Sequence, residues 1–166
     1  KTAAKRYNFH VHYAFKANVN DPILELIRDA GFGADCVSGE EVKKAHDIGF
    51  SKDKIVFAGV GKTDAEIETA LKIGIFCFNC ESLEELEVIN ELAIKQNTIA
   101  SIALRINPNV NANTHHYITT GLDENKFGIN LWELDTVLNR LPELRQLHLI
   151  GIHFHIGSQI MDLHVF

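Results

Sequence analysis

The chain repeats one pattern along most of its length: a short apolar segment, a polar residue, an amphipathic stretch and then a turn residue. The apolar segments are rich in Val, Ile and Phe and too short for buried helices, which is typical of β-strands. They span residues 9–15, 34–37, 55–58, 75–78, 102–106 and 149–155. Strands that alternate with helices form parallel sheets with right-handed crossovers, so the pattern predicts the α/β class.

The amphipathic stretches carry helix start and stop signals. The first predicted helix begins at Asp21 with Pro22 in its first turn and stops at Gly31. Its buried residues are predicted to be Ile23, Leu24, Leu26 and Ile27. The next three helices open with a hydroxyl residue followed three positions later by glutamate, the pattern of a capping box. These pairs are Ser38 with Glu41, Thr63 with Glu66, and Ser82 with Glu85.

One glycine-containing turn invites a nucleotide-binding interpretation. Residues 59–63 read Gly-Val-Gly-Lys-Thr between a strand and a helix, like the end of a Walker A loop. That motif needs a glycine where Val56 stands, inside the strand, and Asp64 occupies the third glycine position of a dinucleotide fingerprint. The sequence therefore favours a tight turn between strand and helix at residues 59–63, with nucleoside triphosphate binding as the less favoured alternative.

Polar residues lie within or directly after five of the six predicted strands, as expected for the rim of a closed parallel barrel. They are Lys16 and Asn18; Asp35 and Ser38; Asn79 and Glu81; Arg105 and Asn107; and His153, His155 and Ser158. In barrels of this type the functional groups lie at the carboxyl ends of the strands. The sequence thus predicts a TIM-type (β/α)8 barrel, with about six of the eight units present and residues 1–166 forming a partial barrel domain.

Composition narrows the function classes. A net charge of −6 and 46% hydrophobic residues are typical of a soluble, core-forming chain, and no partner nucleic acid or membrane is predicted. The amino end lacks an apolar signal segment, so a cytoplasmic location is predicted. The three cysteines, Cys36, Cys77 and Cys80, lie in apolar segments and are interpreted as buried thiols. Neither the Cys77/Cys80 pair nor the His153/His155 pair has further ligands nearby, so no metal site is predicted.

Lys16 is the strongest candidate for chemistry. A partly desolvated lysine at the end of an inner strand can form a Schiff base with an aldehyde cofactor, because desolvation lowers the pKa of its amine. Taken alone, the lysine is better explained as one of many solvated surface lysines. The other segments of the sequence are needed to distinguish the two interpretations.

Several segments together resemble the diaminopimelate decarboxylase family of pyridoxal-phosphate enzymes, which is related to ornithine decarboxylase and, more distantly, to alanine racemase. These segments are residues 13–18, 33–41, 55–63, 78–82, 104–108, 114–121, 124–129 and 153–160. The resemblance covers nearly the whole chain. The lysine segment is shared by the wider family, whereas residues 114–129 and 155–160 resemble the diaminopimelate branch.

The resemblance implies pyridoxal 5'-phosphate as cofactor and a role for each matching residue. Lys16 corresponds to the lysine that holds the cofactor covalently, His155 to the histidine that stacks on its ring, and Ser158 to a residue near its phosphate. Asp35, Glu41 and Arg105 correspond to polar residues around the ring and the lysine. The implied catalytic residues are Lys16 and His155, and residues 114–121 resemble a mobile active-site loop.

The implied activity is that of a carboxy-lyase of lysine biosynthesis, converting meso-diaminopimelate to L-lysine in a homodimer. The glycine-rich phosphate loop and the β-rich second domain of the family are not found in this sequence, so the segment alone is expected to be inactive. Two alternatives stay open: a decarboxylase of another basic amino acid with the same fold, or a non-catalytic barrel relative that acts by binding another protein.

Overall fold

In the computed structural model, which describes residues 6–108 and 127–156, six parallel strands form one sheet in chain order. The strands are β1 His12–Ala14, β2 Gly33–Cys36, β3 Ile55–Phe57, β4 Cys77–Cys80, β5 Ala100–Arg105 and β6 Leu147–His153. Among the described residues, each strand pairs with its neighbours in sequence. An open doubly wound sheet reverses its strand order at a switch point, whereas this order is that of a barrel wall. The predicted α/β barrel architecture is confirmed.

Five α-helices connect or follow the strands in the described residues. They are α1 Asp21–Asp29, α2 Gly39–Ile48, α3 Asp64–Ile73, α4 Leu83–Lys95 and α5 Leu134–Arg140. Three short 3-10 helices span Phe15–Ala17, Lys52–Lys54 and Leu141–Glu143. Helices α2 and α3 end at Gly49 and Gly74, both in the left-handed conformation that favours glycine.

The two faces of the sheet have different environments. Alternate strand residues such as Ala34, Phe57 and Phe78 pack with helix residues such as Val42 and Ile67 in one apolar core. The intervening strand residues face the other way, into the inner space of the barrel, because successive side chains of a strand point to opposite faces. Polar side chains can therefore collect on the inner face without disrupting the core.

The predicted caps occur, with a local variation. Ser38, Thr63 and Ser82 each accept a hydrogen bond from the backbone N–H three residues later. Only the Thr63 and Glu66 pair is a reciprocal capping box. Glu41 and Glu85 instead accept from the N–H of the residue before the cap, Val37 and Glu81 respectively. The N–H groups before α2 and α4 are satisfied one position earlier than the motif specifies.

Several sequence predictions about burial and strand boundaries are wrong in detail. Strand β1 begins at His12 rather than at residue 9, and β6 spans Leu147–His153 rather than residues 149–155. Ile23 and Leu26 are 38% and 72% exposed, whereas Leu24 is fully buried. Helix α1 contacts the barrel through a narrow face, so the wider apolar stripe is not covered in the described residues. Strand β4 begins at Cys77, two residues after its predicted start, so Asn79 lies within the strand.

The carboxylate of Glu66 joins α2 to α3. Its Oε2 accepts from the backbone N–H of Thr63 at 2.9 Å, and its Oε1 accepts from that of Gly39 at 2.7 Å. These two bonds, that of Thr63 first, lower the pKa of the Glu66 carboxyl. A carboxyl whose pKa is lowered by folding stabilises the protein above the unfolded pKa, and this gain is lost as the pH falls through the folded pKa.

Replacing Glu66 with glutamine is expected to lower the free energy of unfolding at pH 7 by up to about 1 kcal/mol, because a neutral amide accepts these bonds less strongly and solvent screens the partly exposed site. The difference from wild type is expected to shrink below the ordinary glutamate pKa of about 4.3. Urea unfolding at a series of pH values measures it. Glu91→Gln, at an exposed position of α4, is the control. A Glu66→Gln deficit that does not change with pH would contradict the assignment.

Candidate functional site

Lys16 lies immediately after β1, in the 3-10 helix Phe15–Ala17. The sequence placed it at the end of the strand itself, but the chain turns one residue earlier because Phe15 packs into the core, where it is fully buried. Phe15 contacts Phe50 edge-on, with ring centroids 5.3 Å apart. The buried ring anchors the turn, while the Lys16 side chain is exposed at the carboxyl rim of the barrel.

The inner face of the sheet surrounds an open cavity of about 500 Å³. Its lining includes residues of every strand: His10, His12, Asp35, Val56, Phe76, Cys77, Asn79, Ala103, Ile150, Gly151, Ile152 and His153. Of the residues predicted to form the site, Asp35 belongs to this lining. Its neighbours on β2, Ala34 and Cys36, face the core on the opposite side of the sheet.

The pKa of the Asp35 carboxyl is affected by several of the charged residues that the sequence predicted for the site. Burial raises the pKa of its carboxyl, and the nearby positive groups oppose that rise. In order of decreasing effect these groups are His12, Lys16, His155 and Arg105. Residues that are far apart in sequence thus act electrostatically on the Asp35 carboxylate, and three of them, Lys16, Arg105 and His155, are predicted site residues.

Arg105 ends β5 beside an acidic partner. Its Nη1 donates to Oε1 of Glu81 at 2.7 Å, and the two side chains are 13% and 5% exposed. The guanidinium also lies over the Phe127 ring, 5.6 Å from the centroid. A buried, charge-assisted hydrogen bond of this kind fixes the position of the guanidinium.

The remaining two predicted residues are not placed at the cavity by the structure. Glu41 lies in the first turn of α2, where its Oε2 accepts from the N–H of Val37 at 2.7 Å. The capping interpretation of Glu41 therefore accounts for its position, and its part in cofactor binding stays a prediction. Ser158 and the predicted mobile loop, residues 114–121, lie outside the described residues.

The two histidines at the end of β6 are in different environments. His153 lines the cavity, and burial, followed by the nearby Arg105, lowers the pKa of its imidazole. His155 lies two residues beyond the end of β6 and is exposed. It acts electrostatically on both Asp35 and His153. Because β6 ends at His153, the alternation of side chains along a strand does not extend to His155.

Lys62 does not have the geometry of a phosphate-binding lysine. Its side chain is 1% exposed, and its Nζ lies 2.5 Å from Oε1 of Glu85. The same nitrogen donates to the backbone oxygens of Gly59 and Asn79 at 2.7 and 2.9 Å. All three ammonium protons are thus directed to protein acceptors, and the tight-turn interpretation of residues 59–63 is the correct one.

The two nearby cysteines cannot act together as ligands. Cys77 lines the cavity, whereas Cys80, three residues along the same strand, belongs to the core on the other face. Burial raises the pKa of the Cys77 thiol to about 12, which disfavours the thiolate that metals bind. No group of three metal-binding side chains occurs among the residues that the structure describes.

The donor set fits a pyridoxal cofactor. The Lys16 side chain is exposed at the carboxyl rim, and Lys16, His155 and Arg105 all act electrostatically on Asp35, which lines the open cavity. Lys16 would hold the aldehyde carbon of the cofactor, and Asp35, Arg105 and His155 would surround its ring.

Within residues 6–108 and 127–156, no helix is both long and apolar enough to cross a membrane.

Sequence reasoning missed three residues of this region. His12 lines the cavity, and its alternation with Tyr13 along β1 was the available signal. The ion pair of Lys62 with Glu85 joins residues 23 positions apart, and no local pattern indicates it. Glu85 was assigned only a capping role, although its two carboxylate oxygens bind Lys62 and the N–H of Glu81.

The sequence matches one known family over residues 1–166: pyridoxal-dependent decarboxylase, pyridoxal binding domain. It is 58% identical over 160 residues to diaminopimelate decarboxylase of Bacteroides thetaiotaomicron, covering 96% of this chain and 42% of that protein. The crystal structure of a diaminopimelate decarboxylase mutant from Helicobacter pylori complexed with L-lysine superposes with a TM-score of 0.87 at 44% identity, covering 94% of this chain and 40% of that one. The enzyme from M. jannaschii, also in complex with L-lysine, gives 0.85 at 42% identity, with 94% and 36% covered.

These comparisons confirm the fold and the family that the lysine segment and the strand ends indicated. The chain spans about 40% of the length of the relatives that it matches. The cofactor of the matched family is pyridoxal phosphate, in agreement with the donor set around Asp35. The chain therefore belongs to the pyridoxal-dependent decarboxylases, through their pyridoxal-binding domain.

Proposed function

We propose that the full-length protein containing this chain decarboxylates meso-diaminopimelate to L-lysine with pyridoxal phosphate, and that residues 1–166 form part of its barrel domain. The observation that carries the proposal is the position of Lys16, Arg105 and His155 at the carboxyl ends of β1, β5 and β6, from which all three act electrostatically on Asp35. The relatives named diaminopimelate decarboxylase, and the L-lysine in two of the superposed structures, support the choice of substrate.

Each side chain has a physical role in this proposal. When bound, the cofactor ring takes up the electron pair left on the substrate by loss of carbon dioxide. The Lys16 amine holds the cofactor at the carboxyl rim and is free to move, because its side chain is exposed. Asp35 supplies a negative charge beside that amine, and Arg105 supplies a fixed positive charge. His155 provides a flat imidazole surface against the ring.

The experiment is a substrate panel with the purified full-length protein. Carbon dioxide release and L-lysine formation from meso-diaminopimelate are expected to exceed release from arginine, ornithine or carboxynorspermidine. Preference for one of the other amines would assign the protein to another decarboxylase of this fold. No release from any of them, with cofactor bound, would favour the non-catalytic alternative.

Replacing Lys16 with alanine is expected to abolish the adduct that borohydride traps between cofactor and protein, because no other lysine amine is assigned to this position. The measurement is peptide mapping of the reduced protein. Lys43→Ala removes an exposed lysine of α2 and is expected to leave the adduct at Lys16 unchanged. An adduct that maps to another lysine would refute the assignment.

Two further features belong to the proposal. A homodimer follows from the family resemblance, in which the active site is completed across the dimer interface. A cytoplasmic location is supported by the cysteines, since Cys36, Cys77 and Cys80 are all buried free thiols, as is usual in reducing compartments.

A further inference from the structure

The contact between Glu81 and Arg105 involves one of the two carboxylate oxygens of Glu81. Oε1 of Glu81 accepts from Arg105, whereas Oε2 is buried and has no hydrogen-bond partner among the described residues. Leaving a carboxylate oxygen buried and unpaired costs free energy, so such a group needs an explanation. The positive charge of Arg105 offers such an explanation, because its Coulomb attraction acts on both oxygens of the Glu81 carboxylate.

A β-bulge in the pairing of β5 with β6 places His153 beside Arg105. Between Ile102 and Ala103 of β5 the pairing with β6 shifts by one residue, so Arg105 lies opposite His153. Nδ1 of His153 is the other buried side-chain atom without a partner in the part of the chain that the structure describes. Glu81, Arg105 and His153 thus come from three adjacent strands or strand ends and share one patch at the carboxyl rim.

Glu81 is itself held by a chain of contacts that begins at Lys62. The ammonium of Lys62 binds Oε1 of Glu85, and Oε2 of Glu85 accepts from the backbone N–H of Glu81 at 2.7 Å. Glu81 then accepts from Arg105. Buried groups linked in this way have few alternative positions, because breaking one contact leaves the next group unpaired.

We infer that Glu81 is a positioning residue, which fixes the Arg105 guanidinium at the carboxyl rim of the barrel and balances its charge. The inference rests on the proposed function. Arg105 acts electrostatically on Asp35, the carboxylate beside the Lys16 amine. If the charge of Glu81 is removed, the positive charge of Arg105 is no longer compensated, and a proton on the nitrogen that joins Lys16 to the cofactor is disfavoured.

The test compares Glu81→Gln with Glu81→Asp in the full-length protein, using the pH dependence of the absorbance of the lysine–cofactor adduct. Glutamine keeps the shape and loses the charge, so the titration midpoint is expected to fall by on the order of half to one pH unit. Aspartate keeps the charge but is too short to hold Arg105 in place. Its midpoint is expected to stay near that of wild type, while the dissociation constant of the cofactor rises about threefold to tenfold.

The matched control is Glu87→Gln. Glu87 also pairs with an arginine, Arg140, at 3.0 Å, but on the exposed helical side, so neither the midpoint nor the dissociation constant should change. A Glu81→Gln midpoint equal to that of wild type would overturn the inference. If Glu81→Gln does not fold, unchanged cofactor affinity in Glu81→Asp overturns it. Wild-type protein without an adduct at Lys16 would refute the proposed function, and the inference with it.

Discussion

Replacing Lys62 with methionine is expected to lower the free energy of unfolding by about 3 to 5 kcal/mol, the range measured when one partner of a buried ion pair is removed. The change leaves the Glu85 carboxylate, which is 13% exposed, without its counter-charge. It also removes the donor to the backbone oxygens of Gly59 and Asn79. Methionine fills a similar volume, so the loss reports the missing charge and hydrogen bonds rather than a cavity.

Urea unfolding of the full-length protein measures the effect. Lys43→Met, at an exposed position of α2, is the control and should change stability by no more than about 0.5 kcal/mol. Combining Lys62→Met with Glu85→Gln should cost less than the sum of the two single changes, because the second removes the unpaired charge. A Lys62→Met variant as stable as Lys43→Met would show that the pair does not stabilise the barrel.

Replacing Gly33 with alanine is expected to cost about 3 kcal/mol, because an added methyl group has no space at the start of β2. An ideal Cβ there would lie 2.5 Å from Nδ1 of His12 and 2.6 Å from the backbone oxygen of Lys54. The histidine ring can rotate away, but the carbonyl oxygen lies directly before β3. Relief of the clash therefore requires β2 to move relative to β3.

The control is Gly61→Ala, since a Cβ at that glycine meets no atom within 4 Å. This change should alter the free energy of unfolding by no more than about 0.5 kcal/mol, or should stabilise the protein slightly by restricting the unfolded chain. Adding His12→Ala to Gly33→Ala should not restore stability, because the Lys54 oxygen remains in place. Full recovery in that double variant would show that the histidine ring alone causes the strain.

Local sequence signals determined the elements and the identity of the main candidate residue. The alternation of apolar segments with capped helices predicted six parallel strands, because strand and helix periodicity are properties of short windows. Gly31, which has a positive φ just after α1, marked the end of that helix for the same reason. Lys16 could be singled out because it follows a strand directly, and the resemblance of its segment to one cofactor family does not depend on distant contacts.

Only the tertiary structure decided which side chains meet. The bulge in β6 brings His153 opposite Arg105, and a bulge depends on the pairing of two strands, which no single segment encodes. The burial of Lys62 against Glu85 and the exposure of Leu26 depend on how helices pack on the sheet. Charges separated by many residues interact through space, so the electrostatic effect of Lys16, Arg105 and His155 on Asp35 required the folded barrel wall.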